Sequence, residues 1–200
     1  MATLAAHRRG WSLVPARIRA AGALLASVLL ASVLLASCAS SSRPNYGPLG
    51  IGFSGNGGAV GTECLPVHPG GVVSFGFEPL VNRGTAVTVT KVDLADPRGL
   101  RVLQAWIVPI TGNDLYGVLD GYPPAAHIPS GVHWEQRQRA DGAIIPHTHG
   151  RHVANLVLVL RPLKKAASAA GVNVYYKESG KSYHLQTHIG IVLMTAKPCA

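Results

Sequence analysis

Between Gly61 and Met194 the apolar residues follow a period of two, and turn residues interrupt them at short intervals. A chain written this way reaches a core through short strands that set one apolar face against another. Thr85 to Val92 is the plainest case: Val87 and Val89 face one way, Thr88 and Thr90 the other. Val72 to Phe77 is apolar and follows Pro69-Gly70-Gly71. Asp96-Pro97-Arg98-Gly99 turns the chain into Leu100 to Ile110. Strict alternation there puts Leu100, Val102, Trp106 and Val108 on one face and Leu103, Ala105 and Ile107 on the other. Val153 to Leu160 is apolar on both faces and reads as a core strand. Val172, Val174 and Tyr176 alternate with Asn173, Tyr175 and Lys177, and Ser179-Gly180 turns the chain towards Tyr183 and Leu185. Ile189 to Met194 is the last strand. Residues 111 to 141 are less regular, with a short strand expected at Leu115 to Leu119 and another, anchored by Trp134, at Val132 to Gln136. Pro162 to Ala170 is expected to form one or two helical turns, with Pro near the start and Gly171 as a stop. Eight or nine strands in about 135 residues indicate an all-β, antiparallel β-sandwich.

Residues 1–37 have the three parts of an export signal. Arg8, Arg9, Arg17 and Arg19 precede an unbroken run of Ala, Gly, Leu, Val and Ser from Ala20 to Ala36, with no acid among them. That run is about 17 residues, at the short limit for a hydrocarbon core of ~30 Å. Leu35-Ala36-Ser37-Cys38 then resembles a bacterial lipobox: an apolar residue, a small one, Gly, Ala or Ser, and Cys. The resemblance implies that the leader is removed and that Cys38 carries a thioether-linked diacylglycerol. The protein would then be lipid-anchored in the cell membrane and face outside the cytoplasm. Each buried CH₂ contributes about 0.8 kcal/mol, and two acyl chains hold where one is marginal. The alternative is an uncleaved signal anchor in which Cys38 is incidental. Gly10-Trp11-Ser12-Leu13 does not continue Arg8-Arg9 into a twin-arginine signal, so the general export route is expected.

Four of the 18 Lys and Arg lie in the leader, so residues 38–200 carry 14 against nine acids, a net charge of +5. No basic run exceeds Lys164-Lys165, which leaves no footprint for nucleic acid. Residues 38–61 read as the lipidated N-terminus and a flexible tether: Ser40-Ser41-Ser42, Arg43-Pro44, Gly47-Pro48 and Gly55-Asn56-Gly57-Gly58 have little to bury. Residues 62–200 are then the folded domain. Cys64 and Cys199 bracket it, and in an exported protein disulfides persist. A bridge would tie the first strand to the last. Two free thiols or metal ligands are the alternative, though neither Cys has a second Cys or His at short ligand spacing.

The chemically pointed stretch is His147-Thr148-His149-Gly150-Arg151-His152. In an extended chain His147 and His149 share a face about 6.6 Å apart, and His152 joins them if Gly150 bends the backbone. Imidazole suits Zn or Cu. The spacing resembles the His-x-His-x-Asp-His motif of metallo-β-lactamase-like hydrolases, but Arg151 stands where that motif has Asp, and no later ligand motif follows. A polar, His-rich loop is the other reading. His184 and His188 are about 13 Å apart along a strand and do not chelate one ion together. His68, His127 and His133 are isolated.

No Gly-x-Ser-x-Gly elbow, Walker loop or dinucleotide fingerprint is present. Glu63, Glu78 and Glu135 are single carboxylates. Tyr116, Tyr122 and Trp134 either line a ligand surface or cover the core. Taken together, the lipobox, the tether, Cys64, Asn155-Leu156-Val157-Leu158, the Val172 to Tyr183 hairpin and Cys199 resemble the immunoglobulin-like domains of small actinobacterial lipoproteins. The resemblance implies an immunoglobulin-like sandwich. The expected role is non-catalytic binding, without a resident cofactor unless the histidines take Zn or Cu. The expected partners are the membrane through Cys38, and a cell-surface protein, a wall polymer or a small ligand.

Overall fold

The computed structural model describes residues 47–51, 61–124, 128–149, 153–195 and 199. Among these the chain forms thirteen strands, a 3₁₀ turn and no α-helix. The strands are β1 Leu49–Ile51, β2 Gly61–Pro66, β3 Val73–Asn82, β4 Val87–Ala95, β5 Leu100–Pro109, β6 Gly117–Asp120 and β7 Gln138–Arg139. They continue as β8 Ile144–Ile145, β9 Ala154–Pro162, β10 Ala166–Ala169, β11 Gly171–Glu178, β12 Lys181–Gln186 and β13 Ile189–Met194. One sheet runs β1-β3-β9-β5-β7, with β6 also on β3; a second runs β12-β11-β4-β8; a third runs β10-β13-β2. Side chains of all three meet in one core, with Phe75, Leu156, Leu158, Val174 and Ile191 wholly buried in it. This is the expected all-β sandwich. Pairing is antiparallel throughout except between β2 and β13, which run parallel.

β9 lies between β3 and β5 and is covered on both faces, which is why it reads as a nearly continuous apolar run. Leu156, Leu158 and Leu160 enter the main core. Val157 points the other way, into a second cluster with Val108, Ile110, Tyr116, Val132 and Trp134. The segment after β5 therefore folds back over the outer face of the largest sheet. The β11–β12 hairpin closes as its sequence suggests: Ser179 and Gly180 both take positive φ, +46° and +81°, matching the right-handed twist of the paired strands.

Four local expectations are overturned. In β5, pairing with β9 shifts register between Val102 and Gln104. The extra residue, Leu103, turns Leu100 and Val102 into the main core beside Ala105 and Ile107, and only Trp106 and Val108 face outward with Gln104. Pro162 to Ala170 is not helical. Ala166 to Ala169 pairs with Ile191 to Met194, burying Ala167 and Ala169, so tertiary pairing overrides the preference of alanine. Around Trp134 the backbone is a 3₁₀ turn, Trp134–Gln136, rather than a strand. One large aromatic anchors that segment without needing a period. Lastly, the tether contains a buried strand. Leu49 and Ile51 of β1 are 2% and 4% exposed, paired with Asn82 and Leu80 of β3. Gly47 enters beside the Tyr176 hydroxyl and the Tyr183 ring, closer than a Cβ would allow.

Cys64 of β2 is disulfide-bonded to Cys199, with Cα atoms 5.7 Å apart and 135 residues between them in sequence. Cross-linking so long a loop removes up to about 5 kcal/mol of entropy from the unfolded chain. The bridge joins β2 to the chain just beyond its neighbour β13.

Candidate functional site

The histidine segment is positioned by Thr148, the residue between the two imidazoles. Its side chain is buried, and its hydroxyl accepts from Asn82 N at 3.1 Å and donates to Asn82 O at 3.0 Å. The Thr148 N–H reaches the same carbonyl at 2.9 Å. Asn82, itself wholly buried at the end of β3, donates through Nδ2 to Ile145 O and Pro146 O and accepts from Gly84 N at 3.0 Å. One amide thus clamps the β3–β4 turn to the chain leaving β8. Partners separated by 66 residues hold the loop, and no local pattern in the sequence announces them.

With Thr148 turned inward, His147 and His149 are exposed. Their rings stand edge to face, 4.3 Å between centroids. They are not on an extended strand, as the spacing suggests: His149 takes φ +50°, a left-handed turn. His147 Nδ1 lies 2.7 Å from Gly84 O. A carbonyl only accepts, so Nδ1 carries the proton and Nε2 of the neutral ring keeps its lone pair free. Metal-binding imidazoles are commonly oriented by such a bond on the other nitrogen. Two imidazoles are half of a tetrahedral zinc shell. Among the described residues no group of three or more His, Cys, Asp or Glu is placed to hold a metal ion. His152 and Cys38 lie outside the described residues.

No other described histidine joins this pair. His184 Nε2 meets Asn173 Oδ1 at 3.0 Å, and Asn173 Nδ2 donates to Asp93 Oδ1 at 2.9 Å. Lys91 pairs with Asp93, and Tyr175 stacks on His184 at 4.6 Å. This network occupies the polar face of the β12-β11-β4 pairing. His188 is exposed in the turn after β12, beyond the strand it was expected to share with His184. His68 is exposed, His133 is half-buried, and His127 lies outside the described residues.

Of the three single carboxylates, Glu78 stands apart. It sits opposite Leu156 on the core side of β3 and is 1% exposed. Among the described residues neither carboxyl oxygen has a hydrogen-bond partner of good geometry. Burial raises its pKa to about 7, and the adjacent Thr187 side chain opposes the shift. The acid is therefore largely neutral below that pH.

Tyr116 and Trp134 are 2% and 8% exposed and cover the outer core, which settles their use. Tyr122 is half-buried and stacks on Trp106 at 6.4 Å. Trp106, Arg137 and Arg139 complete this surface and were not visible as a site in the sequence, where Trp106 stands 31 and 33 residues before the two arginines, across an irregular segment. The Arg137 guanidinium lies 4.6 Å over the Trp134 ring and 5.2 Å over Trp106, and Arg139 lies 5.2 Å over Trp106. β7 places Arg139 there by pairing it directly with Trp106.

No protein-family model matches the chain, and no curated protein matches it.

Proposed function

We propose that this protein is a membrane-anchored extracytoplasmic lipoprotein, held by lipid on Cys38, whose β-sandwich is a non-catalytic binding domain. The observation that supports this reading best is the Cys64–Cys199 bond. Such bonds persist in oxidising compartments, and this one follows a leader that delivers the chain to one. The same reading places it with the small actinobacterial lipoproteins and takes the sandwich as immunoglobulin-like. The sequence carries no nucleophile elbow or phosphate loop, and the acid Glu78 is sealed from solvent. In bacterial cells fed an alkyne-tagged palmitate, the protein is expected to take up label and sediment with membranes. Cys38→Ala is expected to lose the label. A native protein that stays unlabelled and soluble would end the anchored reading.

The geometry of His147 favours a second reading, Zn or Cu binding. Its Nδ1 is tied to Gly84 O, no described residue bonds its Nε2, and His149 stands beside it. The full chain is expected to hold one equivalent of metal that His147→Ala/His149→Ala loses. Equal metal content in both proteins would remove this reading.

A further inference from the structure

We propose that Arg137 and Arg139, gathered over Trp106, form a binding site for an anionic glycan, a sugar polymer bearing carboxylate or phosphate. The proposal rests on the extracytoplasmic reading above, since such polymers lie outside the cytoplasm.

Two guanidinium groups share one indole, each 5.2 Å from its centroid. A guanidinium lying over a ring uses its face, and its planar fork of N–H donors remains for an acceptor. Protein carboxylates do little to claim those donors. Glu135, the ion-pair partner of Arg137, is 3.8 Å away with its side chain 92% exposed, too long for a charge-assisted hydrogen bond. Arg139 is exposed and makes no ion pair with any described residue. Arg137 is held in place by a 3.1 Å bond from Nη1 to Trp134 O, while its Nε is buried with no partner. Arg137 is thus fixed by its bond to Trp134 O and Arg139 is placed over Trp106 by β7, and among the described residues the accessible donors of the pair outnumber the acceptors offered to them.

The aromatic members set the shape of the ligand. Trp106 and Tyr122 are half-buried, nearly parallel at 15°, and Trp106 Nε1 is occupied by Gln104 Oε1. Trp106 already carries both guanidinium groups, so the apolar surface left for the C–H face of a sugar ring is that of the half-buried Tyr122 beside it. Charge beside a pyranose answers both halves of the site. A peptide acid supplies the charge without the ring.

The test is binding of the full chain, in detergent at about 0.15 M salt, to four polymers: polygalacturonate, dextran phosphate, poly-glutamate and dextran. Polygalacturonate or dextran phosphate, whichever anion is preferred, is expected to bind at least tenfold more tightly than poly-glutamate, and dextran not at all. Arg139→Gln is expected to lose about tenfold, and Arg139→Lys most of that, because lysine lacks the fork. Lys164→Gln/Lys165→Gln is expected to bind as the parent does. The site is overturned if no anionic polymer binds, if poly-glutamate binds equally, if Arg139→Gln binds unchanged, or if Lys164→Gln/Lys165→Gln is weakened as much as Arg139→Gln. Palmitate labelling decides the anchor independently, so loss of one reading is distinguishable from loss of the other.

Discussion

Thr148 does for the histidine loop what neither histidine does for itself. Thr148→Val keeps its volume and removes the hydroxyl that serves both backbone groups of Asn82. The Asn82 carbonyl keeps the Thr148 N–H, but leaving the buried Asn82 N–H without the hydroxyl is expected to cost about 1–3 kcal/mol, read from denaturant unfolding. Glu78 gives the opposite lesson, since removing its charge is expected to help. Its pKa is about 7 in the fold against an ordinary 4.5, so the folded state binds the proton more tightly. Stability from this group is full below the unfolded pKa, falls as pH rises through the window between the two values, and is flat above it. The fall is about 3 kcal/mol at most, and Glu78→Gln is expected to flatten the profile and stabilise the protein at pH 8. The sequence made His147 and His149 legible because their chemistry lies in their type. Thr148, Asn82 and Glu78 draw their roles from residues far along the chain, which composition and spacing do not encode.

Strands with a clear period were legible: Val87 and Val89 are buried and Thr88 and Thr90 exposed, as alternation requires. Where a bulge intervened, as at Leu103, alternation assigned the wrong face to everything on one side of it. The short elements β1 and β10 were hidden for a different reason. Three or four residues among Gly, Pro, Ser and Ala carry no period, and only their partners make them strands. If β1 were merely part of a tether, changes in it would be silent. Leu49→Ala and Ile51→Ala are instead each expected to cost about 2–5 kcal/mol, since both side chains are almost wholly buried in the core. Thermal or denaturant midpoints of the two variants check this.

For the whole molecule, the bond between Cys64 and Cys199 was legible from the compartment implied by the leader and from the position of the cysteines. The surface around Trp106 was not, because three separated segments assemble it. Reduction, or Cys64→Ser/Cys199→Ser, is expected to lower stability by up to about 5 kcal/mol, measured as a shift in the denaturant midpoint with and without reductant. The same connectivity has a mechanical meaning. On a protein held by lipid on Cys38, as proposed, and gripped by a partner, tension reaches β1 before any other described strand. Its three residues can peel from β3 and lengthen the leash. Peeling then meets Cys64, where a covalent bond to the far end of the chain replaces hydrogen bonds. If the proposed anchor on Cys38 holds the protein, the domain meets a tug with a short, yielding clasp, three residues of β1, in front of a covalent stop at Cys64.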